Sequence, residues 1–310
     1  MADRLLDGGP ILFVGVGAMG QPMAARVTGA GYRVLVADAV HAHMLAVAER
    51  IGAAPATAER LDADLPQVRT VVLSLPSSAV VESVLLGDHG LLPRLSRGSV
   101  IVDMSSSAPA STRSLAAEAA RRHVGYLDAP VSGGVAKAET GELTIMVGGD
   151  AAVLDSRREL LEAMGTTVVH VGASGSGDAM KALNNLLSAI GLIGAAEVLA
   201  AAARFGIESR VALDVLNSST GRNQATEVKY GRFVLSRSFD SGFAMQLMVK
   251  DLRIALEIAH DAGVPVPISA SALEEWTAAI ASLGRQADHT EIARYVESRA
   301  GVELAEPAAG

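Results

Sequence analysis

Four clusters of residues in this chain of 310 carry the means to do chemistry. The first is Gly15-Val16-Gly17-Ala18-Met19-Gly20, a GxGxxG at the end of the apolar run that begins at Ile11. Glycines so placed let the chain turn tightly, let a pyrophosphate approach the backbone and let a helix pack closely on the preceding strand, while the helix N-terminus attracts the negative charge. Alone the motif also fits an ordinary strand-to-helix turn, but here strand, turn and helix stand in the order a dinucleotide fingerprint requires. The second is Asp38, eighteen residues after Gly20 at the end of the next strand. An acidic side chain there accepts hydrogen bonds from ribose hydroxyls and repels a 2′-phosphate. Ala39-Val40-His41 offers no arginine for such a phosphate, which favours NAD over NADP; the other reading of Asp38 is a cap for the following helix.

The third cluster is Asp128-Ala129-Pro130-Val131-Ser132-Gly133-Gly134. Two glycines free successive N–H groups to form a nest for a carboxylate, with the Ser132 hydroxyl as a further donor, although a purely structural Pro/Gly turn reads the same way. The fourth is Lys181, one turn into a long helical pattern, with Asn185 four residues on and so on the same helix face, able to point into a cleft between two domains. The chain has 22 arginines and four lysines, Lys137, Lys181, Lys229 and Lys250. Where charge alone was needed, arginine was used. An arginine keeps its proton, whereas a desolvated lysine can release one, so the few lysines are candidates for proton transfer.

The secondary structure around these residues falls into two halves. Strand-like runs at Ile11–Val16, Arg33–Asp38, Val71–Leu75, Val100–Asp103, Tyr126–Asp128, Leu143–Val147 and Thr167–Val171 alternate with helical patterns at Met19–Gly29, His41–Arg50, Ala79–Leu86, Ser111–Arg122 and Ala151–Met164. That alternation predicts a doubly wound α/β domain with a parallel sheet. After the glycine-rich Gly172–Gly177 the pattern is helical, at Asp178–Phe205, Ser209–Leu216, Phe243–Ala262, Ser269–Ser282 and Thr290–Val302. The expected organisation is therefore residues 1–172 as the dinucleotide-binding domain and 173–310 as an all-α domain, with a disordered tail after Glu303. Ser218–Asn223, which includes Arg222, reads equally as a pocket wall and as a helix-ending turn.

Composition removes several classes of function. A formal charge of -8 argues against a partner with a nucleic-acid backbone, and the absence of cysteine removes disulfides, thiolate metal sites and cysteine nucleophiles. His41 and His43 are two apart and face different sides of a helix, so they make no metal pair; His289 reads as structural, capped by Asp288 or Thr290. The start of the chain, with Asp3 and Asp7 and no apolar run before Ile11, is not that of a signal peptide, and a cytoplasmic location is expected. Leu183–Phe205 is apolar enough to suggest a membrane span, but Asn184, Asn185, Ser188, Glu197 and Arg204 make it a buried or interface helix. Its Ala-rich apolar surface is hard to cover within one helical domain, which suggests a homo-oligomer.

Taken together, Gly15 to Ala24, Asp128 to Gly134, the Lys181 segment and Met248-Val249-Lys250-Asp251-Leu252 resemble the β-hydroxyacid dehydrogenase family, over Ile11 to Val302. The resemblance implies a Rossmann domain, a helical C-terminal substrate and dimerisation domain, dimers or tetramers, and hydride transfer between NAD and a small 3-hydroxy acid or its semialdehyde. It casts Lys181 as the catalytic lysine and Ser132, Gly133 and Gly134 as the loop for the substrate carboxylate. It makes Asn185, with Asn184 beside it, the amide that orients the substrate hydroxyl. Gly15, Gly17, Ala18, Met19, Gly20 and Asp38 hold the cofactor, Leu75, Pro76 and Ser106 resemble contacts to its nicotinamide half, and Lys250 resembles the lysine of a Lys-Asp pair near it. Val80 stands where relatives carry a polar residue, and Lys137 lies where members vary. The rival readings are a dinucleotide-binding protein without turnover and an imine reductase-like member of the fold; Lys181 argues against both.

Overall fold

The computed structural model describes residues 9–306. The N-terminal segment with Asp3 and Asp7, and the last four residues of the tail, lie outside the described residues. The chain divides into two compact units, Met1–Lys181 and Ala182–Gly310.

In the first unit the β-branched runs become strands because helices cover both sheet faces and leave no water for their side chains. They are β1 (Ile11–Val14), β2 (Val34–Ala37), β3 (Ala54–Pro55), β4 (Thr70–Leu73), β5 (Val100–Asp103) and β6 (Gly125–Asp128). Every residue of β1, β4 and β5 is buried, as expected of a parallel sheet wrapped on both sides. Along β1 the side chains alternate, Ile11 and Phe13 entering one core and Leu12 and Val14 the other. The strand order is β3-β2-β1-β4-β5-β6, all parallel, so the direction of winding reverses between β1 and β4. Dinucleotides bind at such a reversal, beyond the carboxyl ends of the strands.

Beyond β6 the expectation of a parallel sheet needs correcting. β7 (Val131–Ser132) continues β6 after Pro130, and both run antiparallel to β8 (Thr144–Gly149), which in turn pairs in parallel with β9 (Thr167–Gly172). Between β7 and β8 there is room only for the short helix Gly134–Thr140, less than a parallel crossover needs, so the chain folds back. In order along this unit the helices are α1 (Gly20–Gly29), α2 (His41–Ile51), α3 (Ala58–Asp64), α4 (Ser78–Leu86), α5 (Pro109–Arg121), α6 (Gly134–Thr140), α7 (Ala151–Asp155) and α8 (Arg158–Glu162). The single helix expected over Ala151–Met164 is thus two. Asp150 caps α7, and the break falls at Arg157, whose buried guanidinium donates to the carbonyls of Ser156 and Arg69.

Helix α9 (Ser176–Phe205) is followed by α10 (Ser209–Asn217), a π-helical stretch Ala225–Leu235, α11 (Met245–Asp261), α12 (Pro267–Leu283) and α13 (Ile292–Ala300). Pro267 begins α12, since a first-turn residue needs no N–H partner. The core of the second unit joins Ala182, Leu186, Ala189, Ala196 and Leu199 of α9 to Tyr230, Leu252 and Trp276. The tail is ordered further than expected. Leu304 is fully buried with its N–H on Glu297 Oε1 at 2.7 Å, and the Glu306 N–H donates to Leu235 O at 3.0 Å.

Candidate active site

The glycine-rich turn leaves β1 at the sheet's carboxyl edge. Gly15 has φ +87°, and a Cβ there would lie 2.3 Å from Ser74 O; a Cβ on Gly20 would lie 1.9 Å from Gly15 O. At Gly17, by contrast, a Cβ would meet nothing within 4 Å, so this exposed glycine leaves the space over the turn clear. No side chain caps the start of α1. An open cradle over uncapped N–H groups fits a dinucleotide's pyrophosphate, and Gly15, Gly17, Ala18, Met19 and Gly20 are the residues that would hold it.

Asp38 reaches this turn from β2. Its carboxylate accepts the Val16 N–H at 3.0 Å and the Val40 N–H at 2.9 Å, so it braces the turn and also serves the entry to α2. His43, for which sequence reasoning found no role, places Nε2 2.9 Å from Val16 O. The loops after β4 and β5 lie on the same edge: the Met104 N–H donates to Leu73 O, and the Leu75 N–H donates to Ser105 Oγ at 2.9 Å. Leu75, Pro76 and Ser106 thus stand on adjacent loops at the carboxyl ends of paired strands.

The third cluster is not wholly a loop. Val131 and Ser132 pair with Ile145 and Thr144, and the turn is confined to Gly133 (φ +136°) and Gly134 (φ +72°), which lead into α6. Ser132 is held by the β-ladder, and the free-standing nest shrinks to the two glycines because the strand resumes after Pro130. Lys137 is exposed on α6.

Below these loops lies a set of buried carboxylates, of which the sequence marks only Asp128, and that one without a partner. Asp128, the last residue of β6, accepts the Gly175 N–H at 2.9 Å and the Asp178 N–H at 3.1 Å. Asp178 accepts the Ser107 N–H at 2.9 Å and the Thr112 hydroxyl at 2.6 Å. Asp103 accepts the Ser105 N–H at 3.0 Å and the Tyr126 hydroxyl at 2.9 Å. Burial pushes all three carboxyls above the ordinary aspartate range; the Asp103 charge raises Asp178 again, and the hydrogen bonds to Thr112 and Ser107 pull it back. Burial and then the Asp103 charge likewise raise the Tyr126 phenol. The glycine-rich segment before α9 is therefore not a slack linker. A Cβ on Gly177 would sit 2.4 Å from Met146 O and 2.6 Å from Asp128 O, so the first turn of α9 is seated directly on β6 and β8. Lys181, partly buried, follows one turn later.

In the second unit Asn185 is 7% exposed and donates from Nδ2 to Asp251 Oδ2 at 2.6 Å, while its Oδ1 accepts the Asn184 amide at 3.3 Å. Asp251 also pairs with Lys250 Nζ at 3.3 Å. Asp251, the acidic half of the Lys-Asp pair, thus gathers Lys250 and Asn185. Ser218–Asn223 resolves as a turn, with Asn223 Oδ1 accepting the N–H groups of Ala225 and Thr226, while Arg222 forms an exposed pair with Glu227. His289 is buried and structural as expected, with Asp288 capping the turn it sits in; Lys229 Nζ lies 2.7 Å from its Nε2.

This geometry is that of a Rossmann dinucleotide-binding unit with a helical unit after it, the build of a two-part NAD-binding dehydrogenase. A family model described as the NAD binding domain of 6-phosphogluconate dehydrogenase matches residues 10–172, and one described as NAD-binding of NADP-dependent 3-hydroxyisobutyrate dehydrogenase matches residues 175–296. The chain belongs to the β-hydroxyacid dehydrogenase family and is an NAD-dependent oxidoreductase. It is 38% identical to 2-(hydroxymethyl)glutarate dehydrogenase of Eubacterium barkeri over 94% of this chain and 96% of that one. It is 41% identical to NAD-dependent L-serine dehydrogenase of Pseudomonas aeruginosa over 85% and 89%. The solved structure of Mycobacterium tuberculosis 3-hydroxyisobutyrate dehydrogenase with L-serine superposes with a TM-score of 0.84 at 28% identity, covering 93% of this chain and 99% of that one.

Proposed function

We propose that the protein transfers a hydride between NAD and a small 3-hydroxy acid, or the corresponding semialdehyde, with Lys181 moving the proton. The observation that carries this reading is the seating of the Lys181 helix on Asp128, the strand end from which Ser132, Gly133 and Gly134 follow. One anchor thereby fixes both the lysine and the segment that receives the substrate. Bound NAD supplies the hydride acceptor. As the carbinol C–H bond breaks and the C=O bond forms, Lys181 Nζ takes the hydroxyl proton, and in reduction it returns it. Gly133 and Gly134 offer N–H groups to the substrate carboxylate, with Ser132 as a further donor. Asn184, Asn185 and Lys250 belong to the second unit; family resemblance gives the amides to the substrate hydroxyl and Lys250 to the cofactor.

Asp38 selects NAD over NADP. The protein works in the cytoplasm without nucleic acid or membrane as partner, and as a homodimer or homotetramer. Support for the assembly comes from apolar side chains left exposed on α9 and α10, among them Leu187 at 72%, Phe205 at 85% and Val215 at 57%.

The test is Lys181→Arg. It keeps the charge, so a lysine that only attracts the carboxylate would survive the exchange with its activity. A proton shuttle would not, and turnover should fall about 10² to 10⁴-fold with NAD affinity little changed. A variant that retains more than about a tenth of wild-type turnover, with the same basic limb in its pH profile, moves the role of base elsewhere.

A further inference from the structure

We infer that Asp178 is a positioning residue for the reaction, locking Lys181 to the loop that follows β5. The inference rests on Lys181 being the proton-transfer group. Asp178 lies one turn before Lys181 on α9, and its two halves are held from two sides. Its backbone N–H is taken by Asp128 Oδ2 of β6, and its carboxylate takes the Ser107 N–H and the Thr112 hydroxyl.

A second group of hydrogen bonds holds the same loop through Ser105, two residues before Ser107. Ser105 donates its N–H to Asp103 and accepts the Leu75 N–H on its hydroxyl, and Tyr126 closes on the other oxygen of Asp103. The loops carrying Leu75 and Ser106 and the turn carrying Lys181 are thereby tied within one buried polar layer, with Asp178 as the link between loop and helix. An apolar contact could hold these elements together but would leave α9 free to slide along its axis. Two directional bonds to one carboxylate, at 2.9 and 2.6 Å, fix both height and rotation. Rotation matters because a side chain three residues further along the helix swings with it. A displacement of about 1 Å at a reacting group costs on the order of 10²-fold in rate.

The experiment uses the full-length enzyme carrying Asp178→Ala, Asp178→Asn or Thr112→Val, assayed for kcat, KM and NADH binding. Asparagine can accept the Ser107 N–H through its oxygen and donate to Thr112 through its amide. Asp178→Ala should lower kcat about tenfold to a hundredfold while NADH affinity stays within about threefold; Asp178→Asn should recover most of the loss, and Thr112→Val should show a smaller fall of the same kind. A double-mutant cycle with Lys181→Ala decides the route. If Asp178 acts through Lys181, adding Asp178→Ala to Lys181→Ala lowers kcat no further; independent action makes the two losses multiply. Full kcat in Asp178→Ala and Thr112→Val, with only a lower melting temperature, overturns the positioning role, as does multiplicative loss in the cycle. Should Asp178→Ala not fold, Asp178→Asn and Thr112→Val decide: full turnover in Thr112→Val, or no NADH binding in Asp178→Asn, overturns it. Failure of the parent reading is separate, because it shows as an active Lys181→Arg whatever Asp178 does.

Discussion

Adding one methyl group at Gly177 should displace the helix that carries Lys181. By intrinsic propensity alone Gly→Ala inside a helix is favourable by about 1 kcal/mol. The surroundings reverse the sign. The new Cβ would lie 2.4 Å from Met146 O and 2.6 Å from Asp128 O, and both oxygens are backbone atoms that cannot swing aside. Ordinary contact begins at 3.4 Å, so the first turn of α9 must withdraw by up to 1.0 Å. Overpacking of this kind costs about 1–3 kcal/mol, and rigid backbone on the opposing side puts Gly177 at the upper end. After the propensity gain a net loss of about 2 kcal/mol remains, or a melting temperature lower by roughly 4–8 °C for a unit of this size. The withdrawal also stretches the bonds from Gly175 and Asp178 to Asp128, so kcat should fall by up to about 10²-fold. Differential scanning calorimetry together with steady-state rates at saturating NAD measures both. A Gly177→Ala enzyme as stable and as fast as wild type would refute the seating of α9 described here.

The remaining predictions concern charge and protonation. Replacing Asp38 with Ala and adding an arginine at Ala39 should raise NADP use relative to NAD in kcat/KM; an unaltered enzyme already several-fold better with NADP would overturn the role of Asp38. A substrate amide should bind more weakly than its acid by about 1.5 to 3 kcal/mol if Ser132, Gly133 and Gly134 receive a charge, and equal inhibition constants would exclude that. His289 is held neutral, burial moving its pKa below 6.5 despite the hydrogen bond with Asp288. The unfolded chain therefore binds the extra proton first, and stability should drop as pH falls from above 6.5 to below it. The difference in melting temperature between wild type and His289→Gln should then shrink on acidification from pH 7.5 to 5.5, and a constant difference would count against it.

Much of this was legible in the sequence because the responsible signals are local. The β-branched runs of the parallel strands, the GxGxxG turn and the change to helical periodicity after Gly172 each depend on neighbours in the chain. What escaped depends on partners far away. Nothing near Asp128 announces that it caps the start of a helix some fifty residues later, and Asp178 reads as an ordinary first-turn acid until Ser107 and Thr112 close on it. The stretch Ala225–Leu235 escaped for another reason. Its buried positions are Ala225, Thr226, Tyr230, Val234 and Leu235, and with a threonine and a tyrosine among them the apolar pattern is too sparse to mark a helix. Pro130 misled in the opposite direction, since it looks like the end of a strand yet only bends one that resumes at Val131.

Trp276 is the only tryptophan in the chain and is fully buried in the helical unit, with its indole N–H 3.4 Å from Ala189 O. The Rossmann unit has no indole at all. Emission excited where only tryptophan absorbs therefore reports on the second unit alone, leaving Tyr32 and Tyr126 silent, whereas the fluorescence of bound NADH reports on the cofactor site built around the Rossmann turn. Followed side by side in one urea titration, the two signals give separate midpoints for the two halves of a single unlabelled chain. If the continuous helix α9 makes them melt as one, the curves will superimpose.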